Sequence, residues 1–320
     1  MKKMRIPLII TLGVAVLGII FGSFFDFQIS SAIASPTNAF ALTASAVLPT
    51  IGFAGVAVMG GGFLALIIKG KYHIVLKILF GVLAAACLGV AIFYPAGEYF
   101  GSNGFYQAAP KWVGYLIVIL PETGALVGGY FLFKDCKNKN MWIVFVVIVA
   151  LLLIALLGVI PAIKNNMHRP RYRLVSSNSS VDFHNWWQPF KGYNDLVEAA
   201  KADGYGKDEL KLLQENCKSF PSGHTAEVSI LFVVITFFPM AHEKMERYQL
   251  PVFIASGALV LLVAIARILA AAHYLSDVSW GAAIMISLTL IANEVLMRIK
   301  SLQLPQEAPE EDKEVTEKQA

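Results

Sequence analysis

The chain has 320 residues, 57% of them hydrophobic and 15% charged, with a mean hydropathy of +0.63 and a formal net charge of +4. Soluble domains carry about 25% charged residues, so the composition excludes a soluble fold with a large core and predicts an all-α, polytopic membrane protein in contact with the lipid bilayer. The mild charge, with no dense Lys/Arg cluster interleaved with aromatics, excludes a nucleic-acid partner.

A span needs roughly 20 mainly apolar residues, and eight runs qualify: about 6–25, 43–68, 74–96, 112–133, 141–163, 223–240, 250–270 and 275–297. The first follows MKKMR and precedes SSAIAS, a pattern close to a secretory signal with a small-residue cleavage site. Its length, and its ending in Phe24-Phe25-Asp26, instead predict an uncleaved anchor. The fourth contains Leu120-Pro121-Glu122-Thr123-Gly124, a sortase-type pentapeptide in the wrong place; the prediction is a Pro-kinked helix with one carboxylate. Between the fifth and sixth runs lies the polar stretch 164–220. There Trp186-Trp187 and Phe190 suggest interfacial anchoring, and Val197 to Ala202 and Lys207 to Gln214 read as short helices. The acidic tail from Leu304 has nothing to bury and reads as disordered. Cys87, Cys136 and Cys217 share no compartment and no Cys-x-x-Cys spacing, so neither a disulfide nor a zinc site is expected.

Basic residues set the orientation. Lys2, Lys3 and Arg5, then Lys69, Lys71 and Lys77, then Lys134, Lys137 and Lys139, then Lys244 and Arg247, then Arg298 and Lys300 all mark alternate ends. The connections 26–42 and 97–110 carry only Asp26 and Glu98. Both termini are therefore expected in the cytoplasm, with 164–220 and 271–274 outside. The expected organisation is 1–140 as four N-terminal spans, 141–300 as a four-span core, and 301–320 as the tail.

Polar residues at membrane depth are costly and usually face a cavity or a partner. Three stretches bring them to one surface. Leaving the fifth span are Lys164, His168, Arg169, Arg171 and Arg173; alone, these read as a solvated basic patch. Entering the sixth is Pro221-Ser222-Gly223-His224, alone an ordinary Ser N-cap with a bystander histidine. Here a helix N-terminus, the Gly223 amide and the Ser222 hydroxyl could meet an anion. Ending the seventh are Arg267, His273 and Asp277; His273 and Asp277, four apart, share a helix face. Asp277 could accept the His273 Nδ1–H and leave Nε2 with its lone pair. Arg267, six residues before His273, reaches the same site only if the helix ends near 270–274.

Taken together, Lys164-x6-Arg171, Pro221-Ser222-Gly223-His224 and Arg267-x5-His273-x3-Asp277 resemble the three-part signature of the type-2 phosphatidic acid phosphatase superfamily, over 141–297. The resemblance departs at one point: the family's first motif ends Arg-Pro, whereas Arg171 precedes Tyr172 and the Arg-Pro pair is Arg169-Pro170. Counting from Lys164 selects Arg171 as the phosphate ligand, with Arg169 as the alternative. The family typically has six spans, so two of the first four are additional. The resemblance implies a phosphatase needing no metal and no cofactor. Lys164, Arg171, Arg267, Ser222 and Gly223 would hold the phosphate of a membrane lipid. His273, oriented by Asp277, would become a phosphohistidine, with His224 as acid and base. Phosphatidate, phosphatidylglycerol phosphate and undecaprenyl diphosphate are the candidate substrates. An alcohol acceptor in place of water would make the same site a phosphotransferase. A different reading, an ion path through Glu122, Glu227, Glu294 and Arg267, predicts polar residues strung through the membrane depth.

Overall fold

The computed structural model describes residues 2–100, 111–136, 140–237 and 245–299, and every element among them is helical. Long helices come first: α1 (Arg5–Ile33), α2 (Ala39–Lys69), α3 (Ile74–Phe100) and α4 (Lys111–Phe133). Then α5 (Met141–Leu153) passes through one π-helical stretch, Ile154–Val159, into α6 (Ile160–Met167). Four short helices follow: α7 (Tyr172–Ser177), α8 (Tyr193–Ala202), α9 (Lys207–Asn216) and α10 (Gly223–Val228). The chain closes with α11 (Ile230–Phe237), α12 (Glu246–Leu269) and α13 (Leu275–Met297).

Seven of these stretches are long and apolar enough to cross a membrane, which makes the chain a multi-pass membrane protein. The eighth expected span is represented by the shorter apolar stretch Gly223–Phe237, beyond which 238–244 lie outside the described residues. The expected tail, 301–320, lies outside them too, as do Lys137, Lys139, Lys244 and Lys300. Cys87 and Cys217 are buried free thiols. The LPETG segment runs through α4 as helix, with Glu122 fully buried and without a hydrogen-bond partner among the described residues.

The helices close around two apolar clusters. One joins Phe53 and Phe63 of α2, Phe80 of α3, Phe145 of α5 and Val234 of α11. The other joins Leu8 of α1, Phe232 of α11, Phe253 of α12 and Ile286 of α13. Between lipid-solvated helices association depends on close packing rather than on hydrophobic transfer. Helices α1 and α13 achieve it through Gly18 and Gly22. A Cβ on Gly22 would lie 2.6 Å from the Ser276 amide nitrogen, and one on Gly18 would lie 2.3 Å from Ser279 Oγ.

One end of the bundle is tied by ion pairs, Lys3 to Glu246 at 3.0 Å and Arg5 to Glu294 at 3.2 Å. The other end carries the 168–222 segment. Two readings of that end need correction. Asp26 was expected in a connection; it lies within α1, which continues to Ile33, and its side chain is buried. The helix continues because Asp26 has partners inside the protein. Trp186 was expected at a lipid interface; its indole packs on Trp280 and Phe220 and donates Nε1–H to Ser23 Oγ at 2.9 Å.

Candidate active site

The segment after α6 is held by backbone bonds before any side chain acts. His168 caps α6 in a left-handed conformation (φ 46°), donating its N–H to the Lys164 carbonyl, and its ring stacks on Tyr193 at 3.7 Å. The chain then runs against the segment leading into α10. The Arg169 carbonyl accepts from Ser219 N at 2.9 Å, and Arg171 N donates to the Asn216 carbonyl at 2.8 Å. Arg169 and Arg171, two residues apart on either side of Pro170, nevertheless have different surroundings.

Arg169 is wholly buried. Its guanidinium donates Nη2–H to Asp26 at 2.9 Å, Nη1–H to Ser276 Oγ at 2.9 Å and to Asp277, and Nε–H to the His184 carbonyl at 2.8 Å. It also lies over the Tyr274 ring, 4.3 Å from the centroid. Arg171 instead lines a cavity of about 520 Å³ at this end of the bundle.

Lys164, Gly223, His224, Arg267 and His273 line the same cavity, so five of the sequence-predicted residues besides Arg171 converge on it. Arg169, Ser222 and Asp277 are not among its lining residues. Ser222 N-caps α10, where its hydroxyl accepts from the Thr225 amide at 3.4 Å and from Thr225 Oγ1 at 3.1 Å, and its own amide donates to the Asp277 carbonyl. Gly281 lets α13 approach this cap: a Cβ there would lie 2.3 Å from the Ser222 carbonyl oxygen.

The turn that the sequence required between Arg267 and His273 is present. Helix α12 ends at Leu269, Ala271 takes a positive φ of 54°, and the Arg267 carbonyl accepts the amides of both Ala272 (3.1 Å) and His273 (3.2 Å). This folds two residues from opposite helix faces onto one cavity.

The expected imidazole partner is different. His273 Nδ1 lies 2.6 Å from the Ser219 carbonyl oxygen and 3.8 Å from Asp277 Oδ2. A carbonyl only accepts, so Nδ1 carries the proton and Nε2 carries the lone pair. Nε2 is buried and has no hydrogen-bond partner among the described residues. The Asp277 carboxylate is occupied otherwise, accepting from Arg169, from Ser219 Oγ and from the Tyr274 amide at 2.9 Å, which caps α13. Burial pushes the His273 pKa well below its ordinary value; the nearby Asp277 carboxylate opposes this, and Arg267, Arg171 and Lys164 reinforce it. A neutral imidazole with an open Nε2 facing a cluster of cations can attack an electrophile that carries negative charge, such as a phosphoryl group.

Arg173 of the basic cluster also reaches the cavity, as does Glu227, which one turn after His224 was expected either to line the pocket or to pack between helices; Lys211, Glu215 and Lys218, which sequence reasoning did not assign, line it too. Apolar side chains line the cavity as well, Leu42, Ala46, Leu156 and Ile160 together with Tyr94. Tyr94 and Leu156 also border a smaller, apolar pocket of about 70 Å³ between α2, α3 and the α5 region.

A family model described as the PAP2 superfamily matches residues 139–300. Phosphatidylglycerophosphatase B of Bacillus subtilis (strain 168) is 32% identical over 75 residues, which is 23% of this chain and 37% of that protein. The match thus spans 37% of the relative's length, well under two thirds. No solved structure matches the chain.

Proposed function

The chain belongs to the PAP2 superfamily, and from that premise we propose that it is a membrane phosphatase that hydrolyses lipid phosphates through a phosphohistidine. The observation that carries this reading is the His273 Nε2 atom, buried and without a hydrogen-bond partner among the described residues, on a cavity also lined by Lys164, Arg171 and Arg267.

In this reaction Lys164, Arg171, Arg267 and the Gly223 amide hold the phosphoryl oxygens and stabilise the charge on them as the transition state forms. The Nε2 lone pair attacks phosphorus while the bond to the leaving oxygen breaks, and His224 gives that oxygen a proton. The deprotonated His224 then takes a proton from water as the water attacks phosphorus, the P–N bond breaks, and phosphate leaves. Arg169 and Asp277 act at one remove, by fixing the turn that presents His273.

The lipid class is supported by the cavity's mixed lining, cationic and apolar. Tyr94 and Leu156, shared with the apolar pocket, give a hydrocarbon chain a path from bilayer to site. The name of the Bacillus subtilis relative adds weight to phosphatidylglycerol phosphate among the candidate lipids. Basic residues at the Lys3 and Arg5 end, and sparse charge in the alternate connections, support an extracytoplasmic position for the cavity at the cell membrane. On this reading 141–300 form the catalytic core, and the helices of 1–140 support it and line the lipid path.

The test is phosphate release in detergent, with chelator present, from phosphatidate, phosphatidylglycerol phosphate, undecaprenyl diphosphate and a soluble ester. Turnover by the wild type that His273→Ala abolishes is the expected result. A folded wild type that releases phosphate from none of them overturns the reading.

A further inference from the structure

The cavity holds more positive charge than one phosphoryl group uses. Six cationic side chains line it, from Lys164, Arg171, Arg173, Lys211, Lys218 and Arg267, against two carboxylates, Glu215 and Glu227. Lys164, Arg171 and Arg267 belong to the group around His273. Glu227 lies in that group too, since its Oε1 and Lys164 Nζ would be 3.4 and 3.8 Å from a Cβ on Gly223. Three cations with one carboxylate leave a surplus of about two charges, matched by a phosphate monoester, whose second pKa lies near 6.

The other three cations come from the segment between α6 and α10, and two of them are held in place. Arg173 donates its backbone N–H to the Ala271 carbonyl at 3.1 Å and its Nε–H to Asn216 Oδ1 at 2.7 Å, which fixes the guanidinium plane. Its Nη2 is buried and has no hydrogen-bond partner among the described residues. Lys218 is paired with Glu215 at 2.9 Å. Lys211 is exposed on α9 at the rim. Set against Glu215, the cations Arg173, Lys211 and Lys218 leave a second surplus of about two charges, and Lys218 keeps N–H donors beyond its Glu215 bond. A buried guanidinium N–H without an acceptor among the described residues favours an anion.

We propose that Arg173, Lys211 and Lys218 form a second anion subsite, which receives a second phosphate of the same headgroup and selects lipids bearing two phosphates over those bearing one. The proposal rests on the phosphatase reading for its substrate but not for its site. The second phosphate has two possible chemical sources, the inner phosphate of a lipid diphosphate or the phosphodiester of a headgroup that ends in a monoester. Both present the anionic oxygens that a fixed guanidinium and two ammonium groups bind.

The test begins with binding, on the full chain in detergent, using inorganic pyrophosphate and inorganic phosphate as probes. Wild type is expected to bind pyrophosphate about tenfold or more tightly than phosphate. Arg173→Gln with Lys211→Gln is expected to bring that ratio close to one. A ratio near one in the wild type, or a ratio that the double variant does not move, overturns the proposal. Lys211→Gln with Lys218→Gln, which leaves the buried Arg173 contacts intact, is the second variant should the first not fold. Turnover then separates the sources. The variants are expected to lower the kcat/KM ratio of undecaprenyl diphosphate to phosphatidate if the inner diphosphate is recognised, or of phosphatidylglycerol phosphate to phosphatidate if the phosphodiester is. Equal losses on all three lipids would assign these cations to the reacting phosphate and overturn the subsite. A wild type that cleaves no lipid counts against the phosphatase reading alone, because the pyrophosphate ratio decides the subsite independently.

Discussion

Asp26 of α1 and Arg169, 143 residues apart, form a buried ion pair at 2.9 Å, and the same guanidinium holds Asp277 of α13. One cation thus neutralises two carboxylates, and through it the first helix is fastened to the turn that carries His273. A buried charge left without its partner costs about 3–5 kcal/mol. Arg169→Leu strands both Asp26 and Asp277 and is expected to lower the thermal midpoint in detergent sharply, with activity falling as folded protein is lost. Arg171→Leu is expected to behave oppositely, abolishing turnover in a protein of near-wild-type midpoint. A stable but inactive Arg169→Leu protein would reverse the two assignments.

His273 and His224 have separable roles in the proposed reaction, and their variants should fail at different steps. His273→Ala removes the nucleophile, so no labelled phosphate should be trapped on the protein after acid quench. His224→Gln is expected to lose about 10²–10⁴-fold in turnover yet still accept label from a substrate with a good leaving group. Burial keeps His273 below its ordinary value. Protonation would silence Nε2, so a lowered pKa extends activity downward: the acid limb of kcat/KM should lie below about 6.5. An acid limb above that value would remove His273 as the group that must be neutral.

The Ser219 carbonyl, 2.6 Å from Nδ1, fixes the tautomer of His273 more directly than Asp277 does at 3.8 Å. Where a carboxylate alone orients the imidazole, its amide costs about 10⁴-fold in kcat. Asp277→Asn should cost much less per folded molecule, roughly 10–100-fold, because the carbonyl still receives the Nδ1–H, while its chief effect should be instability through Arg169. Kinetics normalised to folded protein decide the matter, and a full 10⁴-fold loss in a stable protein would restore Asp277 as the orienting group.

Much of this site was legible because charged residues stand out in an apolar chain. Lys164, Arg171, Gly223, His224, Arg267 and His273 all reach one cavity, as the three motifs implied. The Arg267–His273 spacing even required the turn that is found at Ala271. Other features left no such mark. The Ser219 contact is made by a backbone carbonyl, which has no letter in the sequence. Asp26 was placed in a connection because a span was ended at its first charge, and nothing local announces a partner 143 residues away. Gly18 and Gly22, four apart in the first run, were a readable sign of close helix packing. They went unused because that run was weighed only as a signal or an anchor.

That close packing gives a direct test of how α1 supports the site. A Cβ on Gly22 would meet the backbone nitrogen of Ser276 at 2.6 Å, and backbone cannot step aside as a side-chain tip can. Gly22→Ala is therefore expected to push α1 from α13, at a cost of about 1–3 kcal/mol, and to disturb the Ser276–Asp26 contact beside Arg169. Gly13→Ala, where a Cβ meets nothing within 4 Å, is the matched control. Equal thermal midpoints for the two variants would show that the α1–α13 contact carries little of the stability.

The apolar lining makes the last prediction, one that separates a lipid enzyme from a phosphatase that happens to sit in a membrane. Leu156 lies in the π-helical stretch of Ile154–Val159 and borders both the cationic cavity and the apolar pocket. Such local widenings of a helix are frequent at functional sites. A hydrocarbon chain running from the bilayer past Leu156 and Tyr94 would bring its headgroup to His273, held there by close packing rather than by transfer out of water. Leu156→Trp should therefore raise KM for a long-chain phosphate about tenfold while leaving kcat/KM for a short, water-soluble ester within about threefold, since only the former uses the path. Equal effects on both substrates would mean that the bulk had distorted the phosphoryl site itself. No effect on either would mean that the chain enters elsewhere, and that the N-terminal helices support the core without guiding the lipid.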